Sequence, residues 1–298
     1  MTGSSDRSLR QALDLAQRPR RGRMGHFLHR LLRRPSAMAS AVLILIVTAA
    51  AVFAPLIAPY HPNEITPQLR TAPSRAHLFG TDEVGRDVLS RVIYGGRVSL
   101  RVGIIAIGIA LIAGTLLGLS AGYRGGWVDS LIMRAMDIML AFPGFLLAIA
   151  IVAILGPGLY NVMIAVGIEA IPVYARTSRS SVLSAKEEEY VVSALAIGAS
   201  HPRILFQYVL PNILAPLIVL ATLGVGIAIL SAAGLSYLGL GAQPPTAEWG
   251  ATLASARGFI RQAWWMSTFP GLAILIVVLA LNLFGDGLRE ILDPRVQR

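Results

Sequence analysis

Six long stretches of apolar residues constrain the fold of this chain more than any other feature. They cover residues 37–59, 98–122, 138–156, 159–175, 212–240 and 269–284. A helix needs about 20 apolar residues to cross the hydrocarbon core of a bilayer, and only 14% of the 298 residues are charged. The pattern therefore predicts an all-α polytopic membrane protein with about six transmembrane helices. Residues 37–298 form its single transmembrane domain.

The distribution of basic residues predicts the side of the membrane on which each terminus lies. Residues 1–36 contain nine arginines and form an Arg-rich tail. With both termini and the segments 123–137 and 176–211 inside, 18 of the 26 Lys and Arg residues are cytoplasmic, as the positive-inside rule requires. Both termini are therefore predicted to be cytoplasmic. Anionic membrane lipid accounts for the net charge of +10, and no nucleic-acid partner is expected because no fold signature for one accompanies it.

The segment 184–212 is an ordered polar loop between the fourth and fifth apolar stretches. Ser184 and Glu187 have the spacing of a capping box, which starts a helix. Tyr190, Ala194 and Ile197 recur at helical spacing and predict an apolar stripe on that helix. A helix of this kind either contacts a protein partner or lies on the lipid surface.

Glycine and proline predict a corner and a second short helix in the same loop. Gly198 suits the left-handed conformation that ends a helix. Ser200 can cap the next helix, Pro202 fits its first turn, and Pro211 is predicted to close it. The loop is therefore predicted to form a helix–turn–helix.

This loop resembles the EAA loop of permease subunits in ATP-binding-cassette (ABC) importers. Residues 192–194 stand where the family has its Glu-Ala-Ala triplet, with Val192 replacing the glutamate, and Gly198 stands at the family's glycine. Leu210 and Pro211 match its Leu-Pro pair. The resemblance implies that the loop couples the chain to an ATPase subunit. The residues implied in that contact are Ala194, Gly198, Ala199, Ser200, His201, Pro202, Leu210 and Pro211.

Four further segments resemble the C-type permeases of peptide and nickel importers. They are residues 79–100, 125–143, 235–253 and 282–295. The resemblance implies a type I ABC importer permease fold in a bacterial plasma (inner) membrane. It also implies three kinds of partner, which are a homologous second permease, two nucleotide-binding ATPase subunits and an extracytoplasmic solute-binding protein. Di- or oligopeptides are the first expectation for the substrate, and nickel, glutathione and opines are alternatives.

No catalytic or metal-binding set is visible in the sequence. The phosphate-binding motif GxxxxGK[ST] is absent, and Lys186, the only lysine, follows Ala185. ATP and Mg²⁺ are therefore expected on partner subunits, and no cofactor is expected on this chain. The five histidines are scattered, so no metal site is predicted. A secondary transporter is disfavoured because it would carry repeated halves and several charges within its spans.

Glu169 is the one clear ionisable residue in the middle of an apolar stretch. Carboxylates within membrane spans are costly and usually face a cavity or a partner. Three interpretations remain open: Glu169 lines the translocation pathway, pairs with an arginine of the second permease, or is solvated near the interface.

Two local patterns complete the predictions. Thr81 is positioned to cap a helix over residues 79–97. Gly114, Gly118 and Gly122 recur every four residues, so they form a face on which another helix can approach closely. Packing within the subunit is favoured over an interface with the second permease.

Overall fold

The computed structural model describes residues 34–292. Most of the Arg-rich tail predicted over residues 1–36 lies outside these residues, as do the last six positions of the chain. Within the described range the regular structure is helical and no strand forms, which confirms the all-α prediction. The helices are α1 (Pro35–Val52), α2 (Ala54–Ile57), α3 (Val88–Arg124), α4 (Gly126–Leu140), α5 (Gly144–Leu155), α6 (Leu159–Lys186), α7 (Glu189–Ala196), α8 (His201–Tyr237), α9 (Trp249–Ala256) and α10 (Trp265–Leu292).

By length and composition, four or five candidate membrane spans are found among the described residues, where the sequence predicted about six. Four helices, α1, α3, α8 and α10, are long and apolar enough to cross a membrane, and α4 with α5 would make a fifth if this bent pair is one span. The third predicted stretch is divided between α4 and α5, whose axes differ by 91°. The break falls at Pro143, whose ring removes a backbone donor. The fourth stretch became α6, which carries Glu169, Arg176 and Arg179 and is not among the four.

The glycine face of α3 packs against α6 within the subunit, as predicted. A Cβ built at Gly114, Gly118 or Gly122 would lie less than 3.0 Å from an atom of α6. Small residues let two backbones approach this closely, so that van der Waals contact replaces the missing side chains. The α3–α6 pair therefore forms the centre of the helix bundle and sets the positions of both ends of the polar loop.

The predicted helix cap at Thr81 is wrong. Residues 79–87 form turns, and α3 begins only at Val88, where the Asp87 carboxylate accepts a hydrogen bond of 2.8 Å from the Ser90 amide. The Thr81 hydroxyl instead donates to the Gln68 carbonyl at 2.5 Å. Local spacing did not reveal this arrangement because the partner of Thr81 lies thirteen positions earlier in the chain.

Buried polar contacts hold the connection between α2 and α3 against the neighbouring segments at that end of the bundle. His77 Nδ1 lies 2.9 Å from the Asp87 carboxylate, and both side chains are almost fully buried. The guanidinium of Arg91 donates to the Pro62 carbonyl at 3.2 Å and to the Thr246 carbonyl at 3.4 Å. Because these bonds join segments far apart in the sequence, this end of the bundle is a rigid platform above the helices.

Candidate functional site

The polar loop begins later than the sequence predicted. Ser184 lies inside α6 and its hydroxyl donates to the Ser180 carbonyl at 3.3 Å, so the predicted capping box with Glu187 does not form. The helix α6 instead continues to Lys186, and α7 starts at Glu189. Propagation of an existing helix adds one hydrogen bond per residue, which makes extending α6 cheaper than starting a new helix at Ser184.

Only part of the apolar surface of α7 is buried within the subunit. Val191 and Ala194 are 1% and 4% exposed. Tyr190 and Ile197, the other members of the predicted apolar stripe, are 40% and 84% exposed, so most of that stripe is uncovered. Partial burial, followed by the charge of Glu188, raises the pKa of the Tyr190 phenol. The loop helix thus buries only a narrow face and leaves large apolar side chains uncovered.

The corner at Gly198 has the predicted conformation. Gly198 adopts φ 82°, in the left-handed region that favours glycine. Its amide donates to the Leu195 carbonyl at 3.0 Å, and the Ala199 amide donates to the Ala194 carbonyl at 3.0 Å. These two bonds satisfy carbonyls that the end of α7 would otherwise leave free.

The second helix of the loop begins as predicted but does not end at Pro211. Ser200 occupies the N-cap position without a side-chain cap bond, and Pro202 lies in the first turn. The helix then runs without interruption from His201 to Tyr237. Residues Ile204–Val209 form a π-helical segment immediately before Leu210 and Pro211. The wider turn of a π-helix accommodates a residue that lacks a backbone donor, so the proline does not stop α8.

Besides Tyr190, four large apolar side chains of the loop are exposed in the described structure, and we call these four the loop surface. It consists of Val192, Leu195, Ile197 and Phe206, which are 53%, 45%, 84% and 62% exposed. Large exposed apolar groups on one loop are typical of contacts with a partner or a membrane. The sequence prediction included none of these four residues among the contact residues, because the family motif marks the glycine and proline positions rather than the side chains around them.

A second cluster, the loop anchor, ties both ends of the loop to the end of α3. It consists of Tyr123, Lys186 and His201. The Tyr123 hydroxyl is hydrogen-bonded to Nδ1 of His201 at 2.7 Å. The Lys186 ammonium donates to the Gly122 and Tyr123 carbonyls at 3.3 and 3.2 Å and lies 5.7 Å from the centre of the Tyr123 ring. Residues 187–200 are therefore flanked by Lys186 and His201, which are both bonded to the end of α3.

Two ion pairs fix α4 against α6 on the same side of the bundle as the loop anchor. The Arg179 guanidinium donates two hydrogen bonds of 2.5 Å to the two carboxylate oxygens of Asp129. One helical turn away, Arg176 pairs with Asp137 in a more exposed setting. Isolated charges next to apolar stretches usually pair with an opposite charge, so the sequence indicates that ion pairs form here. The spacing does not indicate which acidic residue pairs with which arginine.

Glu169 lies far from the loop. It precedes Lys186 by 17 positions along α6, a separation of about 25 Å at the rise of an α-helix. The carboxylate lines a cavity of about 400 Å³ between α3, α4, α5, α6 and α8. The structure therefore separates the predicted site residues into two groups. Ala194, Gly198, Ala199, Ser200, His201 and Pro202 surround the corner, with Leu210 and Pro211 further along α8, whereas Glu169 belongs to the interior of the bundle.

Comparison with known proteins identifies the family. Residues 114–298 match the family model described as "Binding-protein-dependent transport system inner membrane component". Residues 23–73 match the model for the N-terminal TM domain of oligopeptide transport permease C. The first match covers more than half of the chain and includes the loop, the loop anchor and Glu169.

Several curated proteins are similar to this chain over most of their length. The dipeptide transport system permease protein DppC of Alkalihalophilus pseudofirmus is 54% identical over 248 residues, which are 83% of this chain and 82% of that protein. The di/tripeptide transport system permease protein DppC of Pseudomonas aeruginosa is 51% identical over 268 residues, 88% of each chain. The glutathione transport system permease protein GsiD of Pectobacterium atrosepticum is 45% identical over 273 residues, 91% of each.

A solved structure supports the fold. The MetNI methionine ABC transporter, in an inward-facing conformation, matches 67% of this chain and 96% of the matched chain with a TM-score of 0.54 and 19% identity. Together with the helical architecture and the two family models, this likeness gives the chain the fold of an ABC importer permease. The chain belongs to the binding-protein-dependent transport system inner membrane component family, the permease subunits of bacterial ABC importers.

Proposed function

We propose that this chain is a membrane-spanning permease subunit of an ABC importer for di- and oligopeptides. The identity of 54% and 51% to two dipeptide permeases, over more than four fifths of the chain, supports this proposal most directly. The chain itself carries out no chemistry. It forms the translocation pathway with a homologous second permease in the bacterial inner membrane, and its N- and C-termini are cytoplasmic.

The loop 184–212 couples this permease to two ATPase subunits, which bind ATP and Mg²⁺. The loop surface is suited to that contact, because exposed apolar side chains on a short helix fit a groove on a protein partner. The turn at Gly198 changes the direction of the chain, so the end of α7 and the start of α8 lie together at one corner. Val192 takes the place of the family's glutamate, so the contact at this position is apolar. An extracytoplasmic solute-binding protein delivers the peptide to the opposite side.

Reconstitution tests the proposal. The assembled complex of this chain with its homologous permease, the ATPase subunits and the binding protein is placed in proteoliposomes with ATP on the ATPase side. We expect ATP-dependent uptake of radiolabelled Ala-Ala, and hydrolysis that rises when the loaded binding protein is added. The purified chain alone should hydrolyse no ATP. Hydrolysis by the isolated chain, or a complex that assembles but takes up no peptide, would contradict the proposal.

Glutathione is a second candidate substrate, because several glutathione permeases are 45% to 48% identical over 91% of this chain. Glutathione is itself a tripeptide, so the two candidates differ in the peptide rather than in the class of transporter. Uptake of Ala-Ala measured with increasing unlabelled glutathione separates them. Strong competition with a low half-maximal concentration favours glutathione, whereas competition only by short α-peptides favours the first candidate.

A further inference from the structure

The cavity beside Glu169 combines apolar walls with very few polar side chains. Its volume of about 400 Å³ is in the range of small-molecule sites. Apart from Glu169, Tyr174 and Ser231, its lining side chains are apolar or absent. A site with one carboxylate in apolar surroundings is selective for a cationic group that carries an apolar substituent.

Glu169 has no ion-pair or hydrogen-bond partner among residues 34–292. The two arginines of its own helix are occupied, since Arg176 pairs with Asp137 and Arg179 with Asp129. Glu169 is therefore not paired with an arginine among residues 34–292, and pairing with an arginine of the second permease is left to the experiments below. A carboxylate placed within a membrane protein without a partner points to a function in the cavity that it lines.

The start of α5 offsets part of the cost of holding a charged carboxylate in these apolar surroundings. Gly144, the first residue of α5, lies so close to Glu169 that a side chain there would collide with the carboxylate. The N-terminus of a helix carries a partial positive charge, and α5 has no side-chain cap. This position stabilises the charge without using the hydrogen-bonding capacity that a ligand needs.

The two hydroxyls of the cavity add hydrogen-bond acceptors. The Tyr174 hydroxyl donates to the Leu220 carbonyl at 3.3 Å, which leaves its oxygen lone pairs available as acceptors. The Ser231 hydroxyl forms no hydrogen bond among the described residues and also lines the cavity. A primary ammonium group has three donors and no acceptor, so it matches a lining of acceptors. A single carboxylate with two hydroxyls is a poor site for nickel, which prefers imidazole and other nitrogen ligands.

We propose that Glu169 binds the primary ammonium group of the transported substrate, with the adjoining side chain of the substrate against the apolar walls of the cavity. This inference rests on the proposed peptide-import function, because a peptide supplies an ammonium group at its N-terminus. Glu169 is then a specificity-determining residue, which favours peptides with a free N-terminus over N-blocked ones.

Chemical protection tests the subsite independently of transport. In the assembled importer, dicyclohexylcarbodiimide modifies carboxyl groups in apolar surroundings through the fraction that is protonated, and mass spectrometry measures the modification of Glu169. We expect n-butylammonium chloride or Ala-Ala to slow this modification at least about fivefold, since a bound ammonium occupies the carboxylate. Sodium chloride and N-acetyl-Ala-Ala at the same concentrations should not protect. Equal modification in all four conditions would overturn the proposal.

Substitution provides the second arm of the test. Glu169→Gln keeps the size of the side chain and removes the charge, so Ala-Ala uptake should fall about tenfold, as for the loss of a hydrogen bond to a charged group. Glu64→Gln, the same change at an exposed carboxylate of the outer segment, should leave uptake unchanged. If Glu169→Gln does not assemble, Glu169→Asp keeps the charge and should retain protection by n-butylammonium.

The outcomes distinguish this inference from the proposed function. Protection by n-butylammonium in a complex that imports no peptide would support the subsite and contradict peptide import. Peptide import with wild-type rates in Glu169→Gln would support the proposed function and overturn the subsite. Loss of assembly in Glu169→Gln together with an unreactive Glu169 in the wild-type complex would show that an arginine of the second permease holds the carboxylate, and would also overturn the subsite.

Discussion

The loop anchor makes a quantitative prediction about the stability of the polar loop. Tyr123→Phe removes only the hydroxyl that is hydrogen-bonded to His201 at 2.7 Å. The ring remains, so the packing against Lys186 is kept. The change therefore releases the second end of the loop while leaving the first end in place.

The magnitude follows from the exposure of the bond. A hydrogen bond between neutral groups contributes roughly 0.5–1.5 kcal/mol, and this one is exposed, so we expect about 0.5–1 kcal/mol for opening of the loop. Lys186→Met removes an ammonium that donates to two carbonyls at the end of α3. A cation at a helix C-terminus contributes about 0.3–1 kcal/mol, and its attraction to an aromatic ring adds about 0.5–1 kcal/mol. The double variant should loosen the loop by about 1–3 kcal/mol if the two effects add.

Hydrogen exchange measured by mass spectrometry on the assembled importer checks this prediction. Amides of residues 189–200 should exchange roughly twofold to fivefold faster in Tyr123→Phe, because exchange through local opening follows the free energy of opening. The ATPase rate should also respond less to the loaded binding protein. Tyr160→Phe is the matched control, since Tyr160 is 65% exposed and its hydroxyl forms no hydrogen bond among the described residues. Unchanged exchange in residues 189–200, or an equal increase throughout α3, would refute the proposed anchoring.

Three further predictions concern the framework of the site. Gly198→Val should lower coupled transport, because a β-branched residue at this positive φ costs about 1–3 kcal/mol. Gly108→Ala is the control and should leave transport unchanged, because Gly108 has open space around it and no positive φ. Peptide uptake and complex assembly measure both effects. Asp129→Asn should lower the thermal unfolding temperature of the complex more than Asp137→Asn, because the ion pair of Asp129 is the less exposed one. Gly118→Val should prevent stable folding, seen as aggregation in size-exclusion chromatography, because its side chain would meet the backbone of α6.

Sequence reasoning succeeded where the determinant is local. The positive φ of Gly198, the position of Pro202 in a first helical turn and the close approach at Gly114 each depend on one residue type and its immediate spacing. It failed where a distant segment decides the outcome. Thr81 caps no helix because its hydroxyl bonds to Gln68. Pro211 ends no helix because the π-helical segment before it accommodates a residue without a backbone N–H donor.

The charges of α6 show why the candidate site could be only partly predicted. In the sequence, Glu169, Arg176 and Arg179 are three ionisable residues on one helix, and their spacing does not distinguish an internal ion pair from contacts with other helices. The bend between α4 and α5 brings the carboxylates of α4 to the two arginines and the first turn of α5 to Glu169. The bend occurs at Pro143, but its direction is set by the packing of α4 and α5 on α6, which is a tertiary contact. Among residues 34–292, Glu169 is the one of these three without a partner, and it lines a cavity. Its substitution is therefore the most informative about the substrate.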